Sequence, residues 1–187
     1  MSQVRRRTMT PDEFLAWGAN QELKWEFDGF DPVAMTGGTD AHAAIQANVI
    51  IALGNRLRGK PCYVRGSEIK VRTGPGYRYP DAFVSCTLVA RDATVTAEPV
   101  VIFEVMSEST SRTDRTTKLL EHRSLPSVLR YVMLEQDQAV ATVFTRVETG
   151  WGLERLGVSD VLLMPEIEVE VPMSELYDGL DLASPDF

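Results

Sequence analysis

Two acidic residues occupy positions where the sequence could support metal chemistry. Glu104 lies inside Pro99–Met106, the most apolar predicted strand of the chain. Burying an isolated carboxylate is costly unless the group is paired, protonated or bound to a metal. Asp81 follows Pro80 near the start of the preceding predicted strand, and residues 81 and 104 are equidistant from a predicted bend near residues 92 and 93. If the two strands form an antiparallel hairpin, the carboxylates face each other at one end of a sheet.

Two carboxylates at cross-strand distance repel each other unless a cation lies between them. Hard oxygen ligands of this kind suit Mg²⁺ or Mn²⁺, which keep water molecules in their coordination shell. We therefore predict that Asp81 and Glu104 bind Mg²⁺ or Mn²⁺ as a cofactor. The alternatives are a buried ion pair between Glu104 and an arginine such as Arg130, and a purely structural aspartate at position 81.

Short motifs along the chain resemble those of a known group of enzymes. Pro80-Asp81, followed 23 residues later by Glu104-Val105-Met106-Ser107, resembles the Pro-Asp … Glu-x-Lys signature of restriction-endonuclease-like nucleases. More closely, the chain resembles the Uma-two family of endonucleases from about Met9 to Phe144. The motifs that carry this resemblance follow one another in the family's order: Trp25–Gly29, His42, Tyr79–Asp81, Phe103–Thr110, Asp114-Arg115 with Lys118, and Arg130–Val132.

The resemblance implies both a fold and an activity. The implied fold is an α/β, restriction-endonuclease-like fold, in which a mixed, mostly antiparallel central sheet is flanked by helices. The implied activity is that of a Mg²⁺-dependent endonuclease, an enzyme that hydrolyses phosphodiester bonds in DNA. The alternative is a catalytically inactive descendant, which keeps the fold as a binding or assembly module.

One position departs from the broad nuclease signature. The residue two places beyond Glu104 is Met106, where the signature has lysine. The Uma-two family also lacks this lysine, and the resemblance implies that a lysine from the following helix replaces it, which indicates Lys118. Lys70 belongs to a literal Glu-x-Lys, but it precedes Pro80-Asp81 and is therefore in the wrong order. The structural alternative for Lys118 is a helical pair with Asp114.

The resemblance also implies a role for each site residue. Asp81, Glu104 and the backbone carbonyl of Val105 are expected to bind one divalent metal ion. Glu26 is expected to supply or tune a further ligand, and Lys118 to position the attacking water or stabilise the charge that develops on the phosphate. The alternative for Glu26 is an exposed hairpin residue.

Several polar residues near these positions have both a structural and a functional interpretation. For His42, a hydrogen bond to the neighbouring loop is favoured over a role near the site. Ser107, Ser109 and Thr110 are predicted helix caps whose hydroxyl and amide groups could also hold a phosphate.

The elements that must position these residues follow from periodicity, capping and turn signals. Thr39–Leu57 is predicted as the main helix because its apolar residues recur at helical spacing. The other predicted elements are a short helix after Thr10, a hairpin of Leu23–Phe27 and Pro32–Met35, strands Tyr63–Arg65, Ile69–Arg72, Tyr79–Cys86 and Pro99–Met106, a loop Arg91–Glu98, a helix from about 112 to 122, a hairpin of Arg130–Glu135 and Ala139–Arg146, strands Trp151–Leu156 and Ile167–Val171, and a helical turn near Met173–Tyr177.

Composition bounds the organisation of the chain. The 187 residues predict a single domain over 1–187, with a core at about 9–146 and a C-terminal β extension at 147–187. The net charge of −8 argues against a large sequence-independent surface for nucleic acid, although a local basic cleft is compatible with it.

Cysteine content and surface pattern suggest a location and an oligomeric state. Cys62 and Cys86 are predicted to be free thiols, which indicates a reducing, cytoplasmic location. The apolar segments Val161–Met164 and Ile167–Val171 are predicted to be exposed, which is compatible with a homodimer.

Overall fold

The computed structural model describes residues 9–35, 37–96, 98–106 and 112–182, except for the side chains of residues 112–114. The predicted caps Ser107, Ser109 and Thr110 and the predicted Asp114–Lys118 pair lie outside this description and stay predictions.

The described chain contains both helices and strands, mostly at the predicted places. The helices are α1 (Pro11–Gly18), α2 (Asp40–Leu57), α3 (Arg112–Ser124) and α4 (Met173–Leu176), with a 3₁₀ turn at Pro165–Ile167. The strands are β1 (Trp25–Phe27), β2 (Pro32–Ala34), β3 (Tyr63–Gly66), β4 (Lys70–Thr73), β5 (Gly76–Arg78), β6 (Ala82–Ser85), β7 (Val95–Thr96), β8 (Pro99–Met106), β9 (Arg130–Glu135), β10 (Ala141–Val147), β11 (Gly150–Leu156), β12 (Val161–Met164) and β13 (Val169–Pro172). None of the described helices has the length and apolar character needed to cross a membrane.

The main sheet has six strands in the order β11-β10-β9-β8-β6-β3. Strands β8 and β9 are parallel, and α3 makes the crossover between them, whereas all other neighbours are antiparallel. The apolar strand β8 has partners on both sides, as its composition predicts. The predicted α/β architecture with a mixed, mostly antiparallel sheet is therefore confirmed.

The pairing of β6 with β8 follows the predicted register. Ala82 lies opposite Phe103 and Val84 opposite Val101, and the register shifts only near Ser85. The same register, continued by one residue, sets Asp81 level with Glu104. The hairpin argument from the sequence therefore locates these two residues correctly relative to each other.

Helix α2 begins beside the end of the main sheet that carries Asp81. The Thr39 side chain caps the helix by accepting a hydrogen bond from the backbone N–H of His42 at 3.2 Å. The apolar face that includes Ile45 and Leu53 is buried in the main core against β6, β8 and the C-terminal segment. This packing fixes the first turn of α2 next to Asp81.

The predicted strand Tyr79–Cys86 is wrong at its start, because the observed strand β6 begins three residues later, at Ala82. Strand β5 ends at Arg78 and belongs to a second sheet of order β2-β1-β5-β4-β7, whereas β6 begins at Ala82 in the main sheet. Pro80 lacks the N–H that a strand interior needs, so the chain leaves the ladder there. The crossing places Asp81 at the junction of the two sheets.

The second sheet also differs from prediction in the loop Arg91–Glu98. Residues 95 and 96 form β7, a two-residue strand parallel to β4. Gly76 allows β5 to approach β1, since a Cβ atom at that position would lie 2.6 Å from the carbonyl oxygen of Phe27. The second sheet thereby brings β1, which carries Glu26, close to the end of the main sheet at Asp81.

The prediction that the two cysteines are free thiols was wrong, because Cys62 and Cys86 form a disulfide. Strands β3 and β6 pair with Tyr63 opposite Ser85, and this register continues directly to Cys62 and Cys86. The sequence pattern of the two strands does not indicate that β3 is the neighbour of β6. The cytoplasmic location inferred from free thiols loses this argument and stays a prediction.

The C-terminal strands expose only alternate apolar residues. On β12, Val161 and Leu163 are exposed, whereas Leu162 and Met164 are fully buried in the main core. Strand β13 likewise buries Val169 and Val171. The exposed apolar surface therefore involves fewer residues than the sequence predicted. The homodimer stays a prediction.

Candidate metal centre

A cleft of about 820 Å³ lies where α2, α3 and the two sheets meet. Its walls include the residues that the sequence analysis proposed for metal binding and catalysis, and also His42: Glu26, Asp81, Glu104, Val105 and Lys118 belong to the proposed set. These residues come from β1, α2, the β5–β6 junction, β8 and α3. The structure therefore brings together side chains that are up to 92 residues apart in the sequence.

The Asp81 carboxylate is held through one of its two oxygens. Its Oδ2 accepts a hydrogen bond from the backbone N–H of Val105 at 2.7 Å and lies 3.3 Å from His42 Nε2. Among the described residues both contacts are made by Oδ2, which leaves Oδ1 for a further ligand. The N–H and C=O groups of one strand residue point to the same side of the strand. The Val105 carbonyl is therefore also directed towards the Asp81 side of β8.

His42 contacts the site rather than only the neighbouring loop, which reverses the reading favoured from the sequence. Its backbone N–H donates a hydrogen bond to the Thr39 hydroxyl, but its imidazole lines the cleft and lies beside Asp81. A Cβ atom at Gly38 would lie 3.0 Å from His42 Cγ, so a side chain at position 38 would crowd the ring. The hydrogen bond to Asp81 raises the pKa of His42, an effect that the charge of Glu104 reinforces and burial opposes.

Strand alternation directs Glu104 into the cleft. Phe103 and Val105 are buried in the core beneath α2, and Ile102 is buried in a second cluster that includes residues of α3. Glu104 therefore lies on the α3 side, with its side chain 12% exposed. The alternative pairing with Arg130 is wrong, because the Arg130 guanidinium binds Glu166 with distances of 2.6 and 3.1 Å.

His122 is the nearest described imidazole to Glu104, and the sequence analysis did not single it out. Its Nε2 lies 3.6 Å from Glu104 Oε1, which is longer than a hydrogen bond. The ring is completely buried beside Tyr131, and neither ring nitrogen has a hydrogen-bond partner among the described residues. Burial lowers the pKa of His122 to about 3, although the nearby carboxylates act in the opposite direction. The available signal was its spacing of four residues from Lys118, which places both on one face of α3.

His122→Phe is expected to reduce the loss of stability of the metal-free protein in acid. The folded-state pKa of His122 is depressed below the usual value of 6.5, so the unfolded chain binds the proton first as pH falls. The contribution of neutral His122 to the free energy of unfolding is present above pH 6.5. It is lost between pH 6.5 and 3, at up to roughly 1.4 kcal/mol per pH unit. Urea unfolding of both proteins at pH 7 and pH 5 measures the difference. Equal changes in unfolding free energy for the two proteins would exclude this role of His122.

Glu26 is buried at 4% exposure, so its reading as an exposed hairpin residue is wrong. Its Oε1 accepts a hydrogen bond from the backbone N–H of Tyr79 at 3.1 Å. Its Oε2 lies 3.2 Å from Arg78 Nη1 and 2.9 Å from Lys118 Nζ. Both oxygens are engaged by protein groups, which favours a tuning role for Glu26 over direct ligation.

Lys118 reaches the cleft from the second turn of α3, and its ammonium group is paired with Glu26. The rival Lys70 is not among the described residues that line the cleft. Its Nζ instead lies 5.1 Å from the centre of the Tyr79 ring. The geometry favours Lys118 over Lys70 as the lysine that serves the site.

The donor groups suit a hard divalent cation. Two carboxylates and one backbone carbonyl are oxygen ligands, and a Mg²⁺ site typically uses one or two carboxylates with waters completing an octahedron. Among the described residues no group of three or more His, Cys, Asp or Glu side chains is arranged to hold a metal ion, so waters would have to complete the shell around the two carboxylates. The charges of Asp81 and Glu104 both raise the pKa of His42, which lines the same cleft. The residues present therefore fit Mg²⁺ or Mn²⁺ with bound water.

Comparison with known proteins gives consistent matches over most of the chain. Residues 11–174 match the model of the Uma2 family, described as "Putative restriction endonuclease". An uncharacterized protein of Synechocystis sp. is 26% identical over 176 residues, which cover 92% of this chain and 93% of that protein. The crystal structure of an Anabaena variabilis protein, described as a "putative nuclease belonging to DUF820", superposes with a TM-score of 0.77. At 17% identity it covers 90% of this chain and 97% of the Anabaena chain, and it shows that the fold is shared.

Proposed function

Because the chain belongs to the Uma2 family, we propose that it is a Mg²⁺- or Mn²⁺-dependent endonuclease that hydrolyses phosphodiester bonds in DNA. The observation that carries the proposal is the meeting of Asp81 and Glu104, level with each other, in a cleft that Lys118 also lines. The register of two strands, a helix crossover and a second sheet all contribute to this meeting.

The metal would be held by Asp81, Glu104 and the Val105 carbonyl. When bound, a divalent cation supplies a positive charge that neutralises the phosphate and lowers the pKa of water. The Val105 N–H and His42 hold Asp81 Oδ2, so the carboxylate is oriented before any ligand arrives. This pre-orientation reduces the reorganisation that binding would otherwise require.

Lys118 supplies the positive group that the strand position Met106 cannot. Its ammonium group would orient the attacking water or stabilise the charge that develops on the phosphate oxygens. Glu26 holds Lys118 Nζ at 2.9 Å and is itself fixed by the Tyr79 N–H. The role of Glu26 is then to position Lys118.

Local charge supports a polyanionic substrate in spite of the acidic composition. The side chains of Lys24, Arg115 and Lys118 line the cleft, together with His42. The same lining carries Glu26, Asp81 and Glu104, so the cleft is close to neutral in a chain of net charge −8, and a bound divalent cation would make it positive towards a phosphate backbone. A DNA strand is the substrate that we propose on this basis.

The second candidate is a catalytically inactive binding or assembly module. The observation that favours it is Met106 at the position of the signature lysine, in a protein of net charge −8. Against it stands the retention of two carboxylates at one sheet end, since their repulsion destabilises the fold unless a cation is bound.

A plasmid-nicking assay with a metal titration, run beside Glu104→Ala, separates the two candidates. Relaxation of supercoiled plasmid that requires Mg²⁺ or Mn²⁺ and is lost in Glu104→Ala is the result expected of the enzyme. Absence of metal binding, or nicking that the substitution leaves unchanged, would favour the binding module.

A further inference from the structure

The Arg78 guanidinium lies at the contact between the second sheet and α3. It ends β5, three residues before Asp81, and is only 2% exposed. Its Nε and Nη2 donate to Glu121 Oε2 and Oε1 at 2.6 and 2.9 Å, which is a bidentate pair. Its Nη1 donates to Glu26 Oε2 at 3.2 Å. Arg78 therefore joins α3 to β1 by three hydrogen bonds.

These contacts form a chain of alternating charges that reaches Lys118. Glu121 binds Arg78, Arg78 binds Glu26, and Glu26 Oε2 also lies 2.9 Å from Lys118 Nζ. Two cations and two carboxylates leave this set neutral, which suits its burial. Burial alone would lower the pKa of Arg78, but the hydrogen bonds to Glu121 and the two carboxylate charges outweigh burial and raise it. Arg78 thus stays charged.

The position of Glu121 on α3 links the Arg78–Glu121 pair to the orientation of Lys118. Glu121 is one helical turn after Lys118 and directly precedes His122, so the three residues lie on one side of the helix. A bidentate pair fixes both the distance and the orientation of the guanidinium plane. Holding Glu121 therefore fixes the rotation of α3 and the direction in which Lys118 leaves it.

We propose that Arg78 is a positioning residue for Lys118: its planar fork fixes α3 through Glu121 and fixes the partner of Lys118 through Glu26. The proposal rests on the proposed nuclease function for its effect on cleavage. Arginine is required because lysine offers a point charge and cannot bind Glu121 through two parallel hydrogen bonds while also reaching Glu26. Arg78 contacts Glu121 and Glu26 and none of the three proposed metal ligands, so it acts on cleavage through Lys118.

Arg78→Lys tests this inference, because it keeps the charge and removes the fork. We expect kcat for metal-dependent nicking to fall by roughly 10- to 100-fold, since small misplacements of a catalytic group have effects of this order. We expect KM and the dissociation constant for Mn²⁺ to change by less than about twofold, because Asp81 and Glu104 keep their own contacts. In a Lys118→Met background, Arg78→Lys should cause no further loss of kcat. An equal loss in both backgrounds would overturn the proposal.

Arg130→Lys is the matched control. Arg130 is also buried, at 4% exposure, and binds Glu166 through two hydrogen bonds, but its partners are Glu166, Thr145 and Glu154 rather than Glu26 or a residue of α3. We expect it to lower Tm as much as Arg78→Lys does while leaving kcat unchanged. If Arg78→Lys does not fold, Glu121→Gln takes its place, because it keeps the shape of the side chain and weakens the same pair. A loss of kcat in Arg130→Lys as large as in Arg78→Lys or Glu121→Gln would overturn the proposal.

A measurement without metal or DNA separates failure of this inference from failure of the proposed function. In protein labelled with ¹³C at lysine Cε, the Lys118 NMR signal is assigned by its absence in Lys118→Met. We expect Arg78→Lys to shift that signal and Arg130→Lys to leave it unchanged. If the wild-type protein never nicks DNA, the proposed nuclease function is wrong, but the NMR test of Arg78 remains valid. A Lys118 signal that does not respond to Arg78→Lys would overturn the positioning role.

Discussion

Replacing Asp81 by asparagine is expected to lower the rate of metal-dependent DNA cleavage by roughly 10³-fold, which corresponds to about 4 kcal/mol. Asparagine keeps the size of the side chain and can still accept the hydrogen bond from the Val105 N–H, so the fold should persist. It lacks the negative charge that a hard cation requires. Affinity for Mn²⁺ should therefore fall by roughly 100-fold or more, because even loss of a supporting contact costs up to that much. Nicking kinetics and calorimetric titration measure the two effects.

Asp160→Asn provides the matched control for this substitution. Asp160 Oδ2 accepts a hydrogen bond from the backbone N–H of Gly157 at 2.7 Å, the same distance as in the Asp81–Val105 contact. It lies in the turn between β11 and β12, so cleavage and Mn²⁺ affinity should remain at wild-type values. Equal activity in Asp81→Asn and Asp160→Asn would remove Asp81 from the site.

Lys118→Met should lower kcat by roughly 10²- to 10³-fold, the range found when one group that stabilises developing charge is removed. The substitution leaves Glu26 bound to Arg78 and to the Tyr79 N–H, so that buried carboxylate keeps partners. Since Lys118 is not a proposed metal ligand, Mn²⁺ affinity should stay within about threefold of wild type. Single-turnover nicking at saturating Mn²⁺ separates the chemical step from binding.

Lys70→Met is the control that discriminates between the two candidate lysines. Lys70 belongs to the literal Glu-x-Lys of the sequence, but its ammonium group lies over the Tyr79 ring rather than among the described groups of the cleft. We expect nearly wild-type cleavage from Lys70→Met. A loss in Lys70→Met together with full activity in Lys118→Met would assign the role to Lys70 instead.

The parts of the fold that local pattern determines could be predicted from the sequence. The β-branched, apolar run of β8 predicted a buried central strand, and Thr10 and Thr39 predicted the starts of two helices. The register of β6 against β8 followed from the position of the bend, which is why Asp81 and Glu104 could be placed level with each other. In each case the information lay within one element or in the loop between two consecutive predicted strands.

Contacts between elements that do not follow one another in the chain could not be predicted in the same way. The Cys62–Cys86 disulfide depends on β3 lying beside β6, and nothing local in either strand specifies that neighbour. The pair of Arg78 and Glu121 depends on how α3 crosses the second sheet, and exposed and buried charges look alike in a sequence. Sequence analysis therefore identified groups that could carry chemistry and missed those that hold them in place.

The central claim is that Asp81 and Glu104 bind a divalent cation together. The most direct test is an anomalous difference map from crystals grown with Mn²⁺, recorded above the manganese absorption edge. The account predicts one strong peak about 2.1 Å from a carboxylate oxygen of each residue and from the Val105 carbonyl oxygen. A map without a peak in this cleft at saturating Mn²⁺, with Asp81 and Glu104 both ordered, would contradict it.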